Sequence, residues 1–142
     1  MYQRILLPID LVDPDLARPA IEDAVTMAKA SPGSVIRLVH IIPVMPAMLT
    51  EYVSPDFDAR QREVSLEALE ALAKTIGIEA GRTSTTVRQG TVHQQILEEA
   101  TDFDADLIVM SSHRVGMRTY FLGSQAAHVV RHAACSVLVV RR

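Results

Sequence analysis

Two features of this chain could do chemistry together. Asp10 closes the apolar run Ile5-Leu-Leu-Pro-Ile, placing a carboxylate where a buried strand ends. Far along the chain, a basic stretch with His113, Arg114 and Arg118 runs into Gly123-Ser124, and an amphipathic segment starts there. The N-terminus of a helix is an anion site, because its first N–H groups lack intrahelical partners and its dipole is positive. Three cations beside that end would repel the dipole unless an anion lay between them. An acid at one strand end and an anion cradle at another suggest a nucleotide phosphate chain held between the two. No Gly-x4-Gly-Lys-Ser/Thr run occurs, so this is not a P-loop.

The elements that must position these groups alternate. Ile5 to Ile9 and Val35 to Ile42 read as buried strands, the second interrupted by Arg37 and His40 and stopped by Pro43. Between them Asp13-Pro-Asp15 opens a helix whose Ala17, Ile21, Ala24 and Ala28 share a face, and Ser31-Pro-Gly-Ser34 ends it. Residues 43–55, with Pro43, Pro46, Pro55, Met45 and Met48, form an excursion over the surface. The pattern then predicts a long helix over Asp56–Ile78, with Leu69, Leu72, Ala73 and Ile76 on its buried face and Gly77 at its end. Thr83 to Gln89 is polar and β-branched, as an edge strand would be. Thr91 caps a helix that buries Ile96, Ala100 and Phe103. Leu107 to Met110 is the most apolar strand. The last helix sets Ala126, Val129, Val130 and Ala133 on one face, with Ser124 a favoured N-cap, and Val137 to Val140 is the last strand.

This βαβαβαβαβ alternation implies an α/β fold: a doubly wound, five-stranded parallel sheet with helices on both faces and right-handed crossovers. The order 3-2-1-4-5 would set the first and fourth strands side by side where strand order reverses, the usual place for a ligand. Asp10, Ile42 and Ser111 all fall at such strand ends. A length of 142 residues favours one domain over 1–142. A net charge of −3 gives no global reason to bind nucleic acid. No apolar stretch approaches the ~20 residues that span a bilayer. Cys135 is the single cysteine, so no intrachain disulfide can form, and a cytoplasmic protein is the default expectation.

The segments Ile5-Leu-Leu-Pro-Ile-Asp10, Val39-His-Ile-Ile-Pro43, Gly90-Thr-Val92, Asp106-Leu-Ile-Val-Met110 and Leu122-Gly-Ser124 through Arg131-His-Ala133 resemble the universal stress protein family along nearly the whole chain. That resemblance implies a HUP/Rossmann-like domain, usually dimeric, that in many members binds ATP with little turnover. Nucleotide-binding members carry Gly-x2-Gly-x9-Gly-Ser/Thr. Here Ser111 stands for the first glycine and Arg114 for the second, the loop is one residue shorter, and Gly123-Ser124 is intact. The run Ser-His-Arg-x4-Thr-Tyr-x-Leu-Gly-Ser-x-Ala-Ala is similar to the enterobacterial F/G-type subgroup, which includes ATP binders. By resemblance, Asp10, with Pro8 and Ile9 beside it, contacts ribose or the metal–phosphate region. Ile41 offers its backbone to adenine, and Met110 and Ser111 lie against ribose and the first phosphates. His113 and Arg114 attend the phosphates, to which Gly123, Ser124 and Gln125 give N–H groups. The cofactor implied is ATP or another adenine nucleotide, with magnesium or manganese as its companion. The last strand, Ser136 to Val140, pairs with a partner subunit through Val137, Leu138, Val139 and Val140, giving a homodimer or tetramer.

Two other readings stay open: a slow ATP hydrolase, for which no second acid stands near Asp10, and a nucleotide-free dimeric scaffold that has lost ATP with its glycines. Of the remaining residues, His40 reads as a hydrogen-bonded core histidine, His93 as a surface residue and Cys135 as a small buried filler. The spacing of His128 and His132 can hold a metal, but no third ligand accompanies them.

Overall fold

The computed structural model describes residues 1–112 and 123–142. Its strands are β1 (Arg4–Pro8), β2 (Val35–Ile42), β3 (Thr83–Gln89), β4 (Leu107–Ser111) and β5 (Ser136–Val140). Its helices are α1 (Arg18–Ala30), α2 (Phe57–Ala73), α3 (Val92–Phe103) and α4 (Ser124–His132). The strands form one parallel sheet in the order β3-β2-β1-β4-β5, as the alternation predicted.

Side chains along each strand alternate between two cores, because successive Cβ atoms point to opposite faces. Ile5, Leu7 and Ile9 of the first strand segment, Ile36, Leu38 and Ile42 of β2, and Leu107 and Val109 of β4 pack with Ala20, Ala24 and Ala28 of α1 and Leu69 and Ala73 of α2. Leu6, Val39, Ile41, Ile108 and Met110 pack on the other face with Ile96, Ala100 and Phe103 of α3 and Ala126 and Val129 of α4. Burial on both faces is why β1, β2 and β4 read as continuous apolar runs. The small residues of α1 let its axis lie close to the sheet. β3 and β5 are the edges. β3 is polar, and β5 keeps Val137, Leu138 and Val139 half-buried.

Polar side chains tie these layers at defined points. Glu99 of α3 is 3% exposed and receives Arg37 of β2 at 2.9 Å and Arg88 of β3 at 3.0 Å. The guanidinium groups of Arg37 and Arg4 each sit 4.3 Å from the centre of the Phe103 ring. Arg37 interrupts an apolar strand because its charge is absorbed by Glu99 and its flat face by an aromatic ring. Arg82 donates to the carbonyls of Ala28 at 2.6 Å and Ser34 at 2.8 Å, capping the open end of α1 from the start of β3. Asp106 accepts from the N–H groups of Gln3 and Arg4, which fixes the start of β1 beside the start of β4.

Several boundaries differ from expectation. α2 ends at Ala73, not Ile78: Lys74 is the C-cap, and the Thr75 hydroxyl donates to the Leu72 carbonyl at 2.7 Å, drawing the chain out of the helix. Gly77, at φ 86°, turns the chain after the helix has closed, and Ile76 is buried from that turn. Val130 is 47% exposed rather than on the buried face of α4, since it lies a helical step of about 100° from Val129. The surface excursion holds a short 3-10 turn, Ala47–Tyr52, with no buried residue, and Met48 is 77% exposed.

Removing one partner from a buried ion pair leaves the other charge stranded. Glu99→Ala should cost about 3 kcal/mol in urea denaturation, the low end of that range because both arginines retain some exposure. At the surface, Arg142 donates to both Asp23 oxygens, at 2.7 and 3.0 Å, and these hydrogen bonds hold the Asp23 carboxyl below its ordinary value against the opposing effect of burial. A carboxylate lowered on folding stabilises the fold above its ordinary value and loses that contribution as pH falls through the lowered one. Asp23→Asn should therefore cost less than ~1 kcal/mol at neutral pH, with variant and wild type converging in acid. A difference that stayed constant down through the acid range would mean that the ion pair is not its source.

Candidate functional site

Between the C-terminal ends of β1 and β4 the sheet opens. The two strands pair only through Ile5 with Leu107 and Leu6 with Ile108. Beyond that, β1 leads toward α1 on one face and β4 toward α4 on the other. The result is a crevice of about 550 Å³. Pro8, Ile9, Asp10, Ile41, Met110, Ser111, Gly123, Ser124 and Gln125, all expected site residues, line it. His113 and Arg114, with Arg118, lie outside the described residues.

The floor is apolar. Val39, Ile41, Ile96, Met110 and Ala126 come from the core on the α3/α4 face and continue to the crevice surface. Val92 and Ile96 of α3 were missed as site residues, although Gly90-Thr-Val92 carried the signal by opening the helix that makes this floor.

The β1 lip is set by His40 and Asp10. The last rung between β1 and β2 is the Ile9 N–H to the Val39 carbonyl, 2.8 Å. The Ile9 carbonyl then meets His40 Nδ1 at 2.9 Å, so Nδ1 carries the proton and donates. His40 is 9% exposed, the hydrogen-bonded core histidine that was expected. Two residues past Val39, on the same edge of β2, the Ile41 backbone lies beyond that last rung. Asp10 is exposed, and its Oδ1 accepts from the Val12 N–H at 2.9 Å, shaping the loop it stands on.

The opposite lip is the start of α4. Gly123, not Ser124, is the N-cap: the Ala127 N–H reaches the Gly123 carbonyl at 2.9 Å, so Ser124 is the first helical residue. No side chain caps this end among the described residues. Its first N–H groups lack intrahelical partners, and Ser124 and Gln125 line the crevice. A Cβ on Gly123 would stand 3.3 Å from the Ser112 carbonyl oxygen, so glycine lets the helix start press against the end of β4.

α4 is braced from α3 by a histidine ladder. The His93 and His128 rings stack at 4.1 Å with planes 12° apart, and His128 and His132 follow at 6.3 Å. His93 Nδ1 lies 3.1 Å from Gln125 Oε1. His93 is thus half-buried and tied to a crevice residue, where a surface position was expected; only the packing of α3 on α4 reveals this. Cys135 is half-buried, and burial pushes its thiol upward. Among the described residues no group of three or more His, Cys, Asp or Glu could hold a metal, and no helix is long and apolar enough to cross a membrane.

Comparison with known proteins follows the same outline. The universal stress protein family model matches residues 1–141. Universal stress protein G of Salmonella typhimurium (strain LT2) is 34% identical over 144 residues, covering 99% of this chain and 100% of that protein. A universal stress protein solved in complex with cAMP has a TM-score of 0.70 at 19% identity, covering 98% of this chain and 97% of that one. A universal stress protein family protein from Arabidopsis thaliana, solved with AMP bound, has a TM-score of 0.63 at 18% identity, covering 99% and 92%. These two structures share the fold of this chain.

Proposed function

The chain belongs to the universal stress protein family, and on that basis we propose that the β1–β4 crevice binds an adenine nucleotide, with ATP held rather than rapidly turned over. The observation that carries this is the start of α4, without a side-chain cap among the described residues, which lines a crevice with an apolar floor and a carboxylate on its far lip. Two proteins of the same fold were solved with cAMP and AMP.

Each part of such a ligand has a counterpart. The base is flat and apolar on its faces, which suits the floor of Val39, Ile41, Ile96 and Met110, while its polar edge suits the Ile41 backbone beyond the last β1–β2 rung. The phosphates suit the N–H groups of Ser124 and Gln125. Asp10 would repel a bare phosphate, so it serves the ribose or a cation. Magnesium or manganese would be carried by the phosphates, with the Asp10 carboxylate as the side chain able to reach it. The crevice holds no second acid among its described residues, so little hydrolysis is expected. The exposed edge of β5, with half-buried Val137, Leu138 and Val139, suits pairing with a second copy.

Wild-type protein should bind ATP in calorimetry with magnesium present, and purified samples should release an adenine nucleotide identifiable by mass on denaturation. Asp10→Ala should weaken this binding, and Gly123→Asp should abolish it, by placing a bulky negative charge where Gly123 touches Ser112. An absence of nucleotide binding by wild type would refute the reading, and phosphate release well above ~1 s⁻¹, the low end of ordinary turnover, would favour an enzyme instead.

A further inference from the structure

One buried side-chain polar atom among the described residues has no hydrogen-bond partner, the Oγ of Ser111. A buried hydroxyl left unpaired costs about 1–3 kcal/mol, so folded chains rarely keep one without a use for it. Ser111 lines the crevice as the last residue of β4. Its backbone is engaged on the other side, paired in register with Val140 of β5. With the backbone so engaged, the hydroxyl is the polar group of Ser111 that is left without a partner.

Strand alternation says which part of the ligand it meets. Leu107 and Val109 point to the α1/α2 core, and Ile108 and Met110 to the α3/α4 core. Ser111 falls on the side of Leu107 and Val109. That side is walled by the β1–α1 connection, whose 3-10 turn Pro14–Ala17 packs against β4, and whose Leu16 and Ala17 line the crevice with Asp10. The start of α4, where a phosphate would be favoured, belongs to the opposite face. The Asp10 side of the crevice favours a neutral hydrogen-bond donor over an anion. A sugar hydroxyl is such a donor, and the same oxygen can accept from a serine Oγ.

We propose that Ser111 is a specificity-determining residue, its hydroxyl reading a ribose hydroxyl of the bound nucleotide so that the site selects ribonucleotides over deoxyribonucleotides. This rests on the crevice being the nucleotide site.

The test compares ATP, 2′-deoxy-ATP and 3′-deoxy-ATP by calorimetry on wild type and Ser111→Ala. Wild type should prefer ATP over at least one deoxy analogue by roughly five- to tenfold, the value of one neutral hydrogen bond. Ser111→Ala should lose that preference by weakening ATP alone. Its melting temperature without ligand should equal or exceed that of wild type, because an unpaired buried hydroxyl has been removed. Equal weakening of all three nucleotides, or no preference in wild type, would overturn the proposal. So would a lower melting temperature, since the hydroxyl would then be satisfied within the fold. Failure of wild type to bind any of the three would instead refute the nucleotide site itself, a distinguishable result.

Discussion

The structure turns on a short pairing. β1 and β4 hold each other through two register pairs, Ile5 with Leu107 and Leu6 with Ile108, and then part. They part because right-handed crossovers send the two halves of the chain to opposite faces of the sheet. β1 must reach α1 on one side, and β4 must reach α4 on the other. No backbone can fill the space between two strands that leave in opposite directions, so the strongest core in the molecule ends in an open crevice. Ile9, Val39, Ile41 and Met110, core residues by burial, become its floor and lips simply by standing at the last rungs.

That geometry has to be held from outside the crevice. Asp106 pins the starts of β1 and β4, so the strands diverge from a fixed point. Glu99 anchors α3 to β2 and β3 through two arginines, while Arg4 and Arg37 clasp Phe103 of the same helix. α3 is then a rigid base on which α4 is stacked through His93 and His128, and Gln125 is tied to it. The polar network far from the crevice thus bears on where the first N–H groups of α4 point.

Within the crevice the polar groups are left less satisfied than elsewhere. Among the described residues the helix start has no side-chain cap, Asp10 is exposed, and the Ser111 hydroxyl has no partner, whereas Nδ1 of His40, buried beside them, holds the Ile9 carbonyl. A fold optimised for stability alone would cap α4 with a serine and place alanine at 111. Leaving polar groups open in this way costs stability, the trade that binding sites commonly make.

Much of this was legible in the sequence because it follows from local rules. Apolar runs flanked by helical periodicity had to be strands buried on two faces, and their alternation with helices had to give a parallel sheet. The strand-end positions of Asp10, Ile42 and Ser111 followed from where those runs stop. Helix ends were less legible: α2 closes at Ala73, where the Thr75 N–H and hydroxyl both bond the Leu72 carbonyl, a tightening that periodicity does not register. Three things belong to the tertiary structure alone. Gly123 rather than Ser124 caps α4, because the helix start is pressed against Ser112. His93 joins a histidine ladder, because α3 and α4 lie side by side. The Ser111 hydroxyl is buried and unpaired among the described residues, because β5 takes the backbone of Ser111 while β1 turns away. Sequence by itself determines which residues reach the strand ends, since that depends on hydrophobic pattern. Which of their polar atoms remain unpaired depends on neighbours distant in the chain, and only the assembled sheet decides it.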